Sequence, residues 1–369
     1  MTIFITQALG YNGNLLYWEN ILNDVYNKNI EFKVFCPNKS VKLSSGLVLE
    51  KKVKLFRFKF NLKNSLYHYN INLITPSFMF SLIKERPKKI IISEFSIIAF
   101  YVILYSFFFK VKIIQLIEND PKFIQKKHST VRVLYRKIIT YYTDKIVVNN
   151  KFGDEYCKFK LNVPPNKVYT LPYLTSEILP EKIIIKRENK LVTFLFVGQI
   201  HKRKGIFQLL KSIEQLVSKK GVLKFNVFII GDGPDFEKAK EFSIDLKVDE
   251  YVKFTGRVDY SDLSYYFTLS DVFMNLTLGD YRALVGFEAL SQGLPLIYSK
   301  YDGAFSEVVI HKINGFIIDP KNIEEITNSM AYFISNPNEI LNLSNKSKEI
   351  FKKYSFEAIS NNWIQIINL

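Results

Sequence analysis

The sequence predicts an α/β protein built as two doubly wound domains facing each other across a cleft. Three observations predict it. Short β-branched and aromatic runs alternate with longer stretches of helical period, the pattern of parallel strands joined by helical crossovers. A chain of 369 residues suits two domains at roughly 150 residues per domain. Between the two series of strands, residues 173–190 carry Pro180 and the mixed-charge run 186–190, and the apolar stretch 192–197 follows at once.

In the first half, strands are predicted at 2–5, 32–35, 54–60, 89–92, 112–117, 145–148 and 167–171. In the second they are predicted at 192–197, 225–230, 252–255, 272–275, 294–298 and 316–318, with a helix over 206–218. No repeat or low-complexity tract interrupts the alternation. The domain boundaries follow: residues 1–175, a linker at 176–190, residues 191–354, and a C-terminal helix at 355–369 that packs back toward the first domain. Open α/β sheets bind ligands beyond the carboxyl ends of their strands, so the active site is expected in the cleft.

Hydrophobic residues at 48% and charged residues at 23% exclude a disordered or fibrous chain. Cys36 and Cys157 form no CxxC pair, so neither a disulfide framework nor a zinc knuckle is indicated and a reducing compartment fits. The first nine residues resemble a strand, without a basic segment or a small-residue cleavage site, so a cytoplasmic location is expected. The longest apolar run, 97–109, stops at Lys110, short of the roughly 20 residues needed to cross a bilayer, and is read as a buried helix.

The net charge of +16 is unevenly placed. Residues 1–180 hold 27 Lys and Arg against 12 Asp and Glu, whereas residues 181–369 hold 24 against 23. Such asymmetry points to an anionic partner for the first half, such as a membrane surface, a lipid phosphate or a nucleic acid, unless it reflects only a lysine-rich composition. In 51–60, Phe56, Phe58 and Phe60 alternate with Arg57 and Lys59, and 84–89 adds a second basic cluster. This suits peripheral contact with an anionic membrane, and it equally suits an edge strand with one solvated face.

Three segments carry chemistry. Gly198-Gln199-Ile200-His201-Lys202-Arg203-Lys204-Gly205 follows an apolar strand, and its N–H groups with Arg203 and Lys204 suit a diphosphate. Gly231-Asp232-Gly233-Pro234 ends another strand in a tight turn without the three-glycine dinucleotide spacing. In the third, Asp280 lies in a loop and Glu288 in the next helix, with Ala283, Leu284 and Val285 as the first helical residues, whose free N–H groups face a phosphate or sugar oxygen. A carboxylate at Glu288, lower on that helix, suits ribose hydroxyls. A further turn after the first strand holds Gly10 and Gly13, which would let the backbone approach donor phosphates or an acceptor.

These segments, with Phe254-Thr255-Gly256-Arg257-Val258, Gly293-Leu294-Pro295, Gly303, Glu307-Val308-Val309 and Asn314-Gly315-Phe316, resemble in order and spacing the donor domain of the GT-B glycosyltransferases of family 4, glycosyltransferases group 1. The resemblance covers roughly 125 residues, about the size of one domain. It implies two Rossmann-like domains, with 1–175 on the acceptor side and 191–354 binding the nucleotide sugar. It also implies a retaining transfer of a hexose-type sugar to a glycan or polyprenyl-linked acceptor, as in polysaccharide or lipopolysaccharide assembly. The family's paired acidic motif falls on Asp280, toward the donor sugar, and Glu288, toward the ribose. Lys204 matches the lysine that neutralises the diphosphate, Gln199 stands where an arginine is usual so that Arg203 substitutes for it, and Arg257 and Val258 flank the nucleobase.

The chain departs from the family pattern at Asp280, where Glu is commoner, and at Tyr281-Arg282-Ala283, where Gly-Phe-Gly is usual, which implies a reshaped sugar pocket with an extra positive charge. The family's first-domain histidine has no counterpart in Gln115-Leu116-Ile117-Glu118-Asn119-Asp120, so Asn119 and Asp120 are the candidates near the reacting carbon. Fixed cations and helix dipoles stabilise a departing diphosphate without a metal, and the chain contains no Asp-x-Asp triplet, so no metal or other cofactor is expected. None of His68, His128, His201 and His311 has ligand spacing. The alternatives are a donor-binding pseudoenzyme and a basic nucleic-acid-binding protein. The latter leaves the Asp280 and Glu288 arrangement unexplained, and nucleic acid is not an expected partner.

Overall fold

The structure, a computed structural model, describes residues 1–6, 14–28, 30, 32–37, 41–60, 69–75, 77–118, 130–178, 191–221 and 224–369. The chain divides into two compact units. One comprises Met1–Thr175 with Phe356–Leu369, and the other comprises Ser176–Ser355. Most of the expected linker, 179–190, lies outside the described residues.

The strands of the first unit are β1 (Thr2–Ile5), β2 (Phe32–Cys36), β3 (Val41–Lys42), β4 (Val48–Lys51), β5 (Leu55–Phe60), β6 (Tyr69–Ile74), β7 (Lys89–Ser93), β8 (Lys112–Ile117), β9 (Lys145–Val148) and β10 (Val168–Thr170). Eight of them form one sheet in the order β10-β9-β8-β7-β1-β2-β4-β3, parallel throughout except for β3 against β4. The central strands are buried along their length, with Ile3, Phe4, Ile5, Ile90, Ile91 and Ile92 at 0–1% exposure, which is why they read as continuous apolar runs. The last helix, Phe356–Asn368, completes this core. Trp363 meets Phe4 edge-on at 5.2 Å and Trp18 at 5.9 Å, and its Nε1 donates to the Tyr173 carbonyl at 2.8 Å.

The structure departs from two expectations. The segment expected as a strand at 54–60 is not part of the parallel sheet: β5 pairs antiparallel with β6 in a separate two-stranded sheet, and β4 lies beside β2 instead. Alternating apolar and basic residues define a strand with two unlike faces, which suits an antiparallel pair better than a strand covered on both sides. The run 97–109 is not a fully buried helix. In Ile97–Ser106 the side chains of Ile98, Ala99, Val102, Ile103 and Tyr105 are buried, while Ile97, Phe100 and Leu104 are exposed, as are Phe107 and Phe108 just beyond. A crossover helix packs only one side on its sheet, and here the other side is apolar as well.

The second unit has a six-stranded parallel sheet. Its strands are β11 (Val192–Val197), β12 (Phe225–Ile230), β13 (Val252–Gly256), β14 (Val272–Asn275), β15 (Leu296–Ser299) and β16 (Gly315–Ile318), in the order β13-β12-β11-β14-β15-β16. The chain winds outward from β11 in one direction and then from β14 in the other. The switch point lies between β11 and β14, and the loops leaving these two strands define the crevice such sheets use for ligands. Helices Ile206–Lys220 and Ile323–Ser335 bury Leu209, Leu210, Ile213, Ile326, Met330 and Phe333 with Phe194 and Phe196 in one core. Phe287, Ala289 and Leu290 of helix Val285–Ser291 join Leu195, Phe273 and Leu296 in another.

Candidate active site

The loop after β11 and the loop after β14 are bonded to each other. The Arg203 carbonyl accepts the Leu278 N–H at 2.7 Å and the Thr277 hydroxyl at 3.2 Å, and Arg203 Nη1 donates to the Gly279 carbonyl at 2.9 Å. Residues Lys202–Lys204 form one 3-10 turn, capped by His201, whose Nδ1 accepts the Arg203 N–H at 3.0 Å. Gly205 closes the turn at φ +83°, where a Cβ would stand 2.0 Å from the Leu276 carbonyl oxygen. Only glycine fits that approach. The loop after β12 packs on the same end, since a Cβ on Gly231, at φ +130°, would stand 1.9 Å from the Gly198 carbonyl oxygen.

This arrangement brings three of the sequence-predicted residues together. Asp280 forms an ion pair with Lys204 through Oδ2, and Arg203 Nη1 approaches the same oxygen at 3.1 Å. Oδ1 accepts the Tyr281 N–H at 3.0 Å. Burial opposes ionisation of Asp280, but Lys204 and Arg203 overcome it and hold the carboxyl below its ordinary pKa.

A second carboxylate, which spacing did not reveal, stands behind the first. Asp302 is fully buried and pairs with Asp280 through a single parallel β-bridge. Its Oδ2 accepts from Asn275 Nδ2 at 2.8 Å, and its Oδ1 accepts the N–H groups of Ala304 at 2.8 Å and Ala283 at 3.3 Å. Burial, then the nearby Asp280 charge, pushes its pKa up to about 6. This corrects the reading of Ala283: it precedes helix Val285–Ser291 and gives its N–H to Asp302, so Leu284 and Val285 head the helix. Asn275 ends β14 and Asp302 follows the adjacent strand β15.

Glu288 is buried in the same helix. Its Oε1 accepts the Ser176 hydroxyl at 2.6 Å and the Tyr260 hydroxyl at 3.4 Å; among the described residues Oε2 accepts no hydrogen bond. Burial raises its pKa to about 7, against the opposing effect of those two donors. Gly286, two residues earlier, allows close packing, since a Cβ there would stand 2.7 Å from the Tyr298 hydroxyl oxygen.

Arg282 adds no open charge to the site. Its side chain is buried and forked onto Glu307, with Nη2–Oε2 at 2.8 Å and Nε–Oε1 at 3.1 Å, and its guanidinium lies 4.2 Å from the Phe287 ring centre. The extra positive charge expected from the sequence is therefore neutralised within the fold. Tyr281, at the loop surface, is exposed.

The remaining predicted residues are distributed more widely. Gln199 is exposed at the end of the β11 turn, with Gly198 beside it at φ +151°. Arg257 and Val258 line a cavity of about 520 Å³ with Asp259, Asp262, Tyr265 and Tyr266, a lining that contains neither Asp280 nor Glu288. Phe254 packs edge-on to Phe236 at 5.8 Å. Gly10, Gly13, Asn119 and Asp120 lie outside the described residues. Immediately before Asn119, Glu118 donates its N–H to Glu94 Oε1 at 2.8 Å, and Gln115 Nε2 donates to the Glu94 carbonyl at 2.6 Å. Glu94 holds φ +60°, an uncommon conformation for a side-chain-bearing residue, and ties the ends of β7 and β8 together. Among the described residues, no group of three or more His, Cys, Asp or Glu could hold a metal ion.

The model of the family Glycosyl transferases group 1 matches residues 180–352. An uncharacterized glycosyltransferase of Haemophilus influenzae is 32% identical over 192 residues, covering 52% of this chain and 53% of the relative. The alpha-monoglucosyldiacylglycerol synthase of Acholeplasma laidlawii is 27% identical over 217 residues, covering 56% and 53%. The chain thus spans about half the length of these curated relatives. The Anabaena HepE protein, solved in complex with UDP and glucose, superimposes with a TM-score of 0.72 at 13% identity, covering all of this chain and 99% of that one. The second unit therefore belongs to the group 1 glycosyl transferases, and the chain has the GT-B fold of two Rossmann-like domains.

Proposed function

We propose that the protein transfers a hexose-type unit from a nucleotide sugar to a glycan or lipid-linked acceptor, with retention at the anomeric carbon. The observation that carries this reading is the Lys204–Asp280–Arg203 cluster at the switch point between β11 and β14, with Glu288 buried in the helix that follows. Departure of a nucleoside diphosphate puts negative charge on its terminal phosphate. Arg203 and Lys204 supply fixed cations for that charge, without a metal ion. The open Oε2 of Glu288 suits a ribose hydroxyl, and Asp280 suits the donor sugar once the diphosphate takes over part of its hold on Lys204. Gly198 and Gln199 border the phosphates, and Arg257 and Val258 border the nucleobase side.

Support for a lipid-linked acceptor comes from the excess of cations in residues 1–180, 27 against 12 acidic residues, and from the diacylglycerol relative. Support for a uridine nucleotide comes from the HepE complex. In this reading the protein works at the cytoplasmic face of a membrane; no helix among the described residues is long and apolar enough to cross one. Donor binding without turnover is the second reading, favoured by the way Asp280 already occupies both cations.

The test is transfer of labelled sugar from UDP-, GDP- and ADP-linked donors to a lipid extract, in excess EDTA. Lys204→Ala is expected to lower kcat about a hundredfold or more. Full activity in Glu288→Ala would overturn the assignment of the ribose site, and tight donor binding with no transfer to any acceptor would favour the second reading.

A further inference from the structure

Three neighbouring helices of the first unit present apolar side chains to solvent along their full length. On helix Ile97–Ser106 and its continuation, the exposed residues are Ile97, Phe100, Leu104, Phe107 and Phe108, the last at 76% exposure. On helix Thr130–Tyr142 they are Val131, Leu134, Ile138 and Tyr141, spaced at three and four residues and therefore on one stripe. Helix Phe78–Glu85 adds Phe80, at 77%, and Ile83. Phe107 meets Tyr142 edge-on at 5.4 Å and joins two of the stripes at the surface, while beneath it the buried Phe78 packs helix Phe78–Glu85 against Tyr101 of the next helix at 6.0 Å. Solvated crossover helices normally turn charged residues outward, and a contiguous apolar face of this kind marks an interaction surface.

Charge identifies the partner. Residues 78–118 and 130–145 contain ten Lys and Arg against four Asp and Glu. Exposed Lys84, Arg86, Lys88, Lys110 and Lys112 stand at the ends of these helices and the connections that follow them. A second copy of the same face would bring these cations against one another, whereas an anionic bilayer attracts them while taking up the aromatic and aliphatic side chains. We infer that this three-helix face is a peripheral membrane-docking surface for anionic lipid. It differs from the basic-aromatic segment 51–60, and it includes part of the 84–89 cluster at its rim. The inference rests on the membrane-presented acceptor of the proposed function but not on the donor site.

The full-length protein should float with phosphatidylglycerol–phosphatidylcholine vesicles at low salt and be released at high salt. Two variants on separate helices, Phe107→Ser with Phe108→Ser and Leu134→Ser with Ile138→Ser, should each lower partitioning roughly tenfold or more, while the protein stays folded with only a small fall in melting temperature because the side chains are about half or more exposed. Lys84→Gln with Lys88→Gln and Lys110→Gln should reduce the preference for anionic over neutral vesicles. A wild-type protein that stays unbound with anionic vesicles overturns the proposal, as does a stable dimer in solution that either apolar variant dissociates. Thermal stabilisation by nucleotide reports on the donor site separately, so absence of vesicle binding with nucleotide binding intact contradicts the docking surface alone.

Discussion

At Glu288 a carboxyl is taken almost entirely out of water with two hydroxyls as its compensation, and its pKa rises to about 7. The folded state therefore holds a proton that the unfolded state releases near its ordinary pKa of 4.5, so this contribution to stability is present below about 4.5 and is lost as pH rises toward 7. Glu288→Gln keeps the acceptor for Ser176 and removes the ionisation. At pH 8 it should be more stable than the wild type by up to roughly 3 kcal/mol, with a flatter dependence of melting temperature on pH between 5 and 7, while binding nucleotide sugar more weakly. A wild-type slope unaffected by the substitution would show that another group titrates there. Arg282 and Glu307 form the opposite case, a buried pair in which each side chain needs the other. Arg282→Met alone should cost about 3–5 kcal/mol in denaturant unfolding, and Arg282→Met with Glu307→Leu should cost much less. The spacing of Asp280 and Glu288 was legible because both lie on one continuous segment. Asp302, and the pairing of Glu307 with Arg282, were not, because the partners are 27 and 25 residues away and meet only through the ordering of β14 beside β15 and the turn that follows.

Among elements, the loop between β11 and its helix is the one that geometry constrains most. Gly205→Ala places a Cβ 2.0 Å from the Leu276 carbonyl oxygen at a positive φ, and should destabilise the protein by about 3 kcal/mol or more. Gly198→Ala meets nothing within 4 Å, and should cost only about 1 kcal/mol, from its backbone conformation. Equal melting temperatures for the two variants would contradict the interlocked loops. The strands of the two large sheets were legible as short apolar runs, except β3 and β4, which no predicted run covers. The hairpin of β5 and β6 was not, because alternation identifies a two-faced strand without naming the sheet that receives it. The helix at 285–291 begins later than the sequence suggested, since Asp302 captures the Ala283 N–H before the helix starts.

For the molecule as a whole, the first unit depends on both ends of the chain. Trp363 is 1% exposed among Phe4, Trp18 and Tyr173, so Trp363→Ala should destabilise this unit by about 3–5 kcal/mol and leave the core of Ser176–Ser355 intact, which hydrogen exchange resolved by region can read. The uneven charge was legible from composition alone, but its association with a solvent-facing apolar surface was not, because the run 97–109 has nearly the same hydrophobicity on both sides and only the packing shows which side is covered. The central proposal is that the second unit takes up a nucleotide sugar through Arg203, Lys204 and Glu288. Its most direct measurement is a thermal-shift titration of UDP, GDP, ADP and their sugars against the wild type, Lys204→Ala and Glu288→Ala. One nucleotide series should stabilise the wild type, by roughly 2.7 kcal/mol at 100 times its dissociation constant, and both variants should lose most of that gain. No stabilisation of the wild type by any of these ligands, or equal stabilisation of all three proteins, would contradict it.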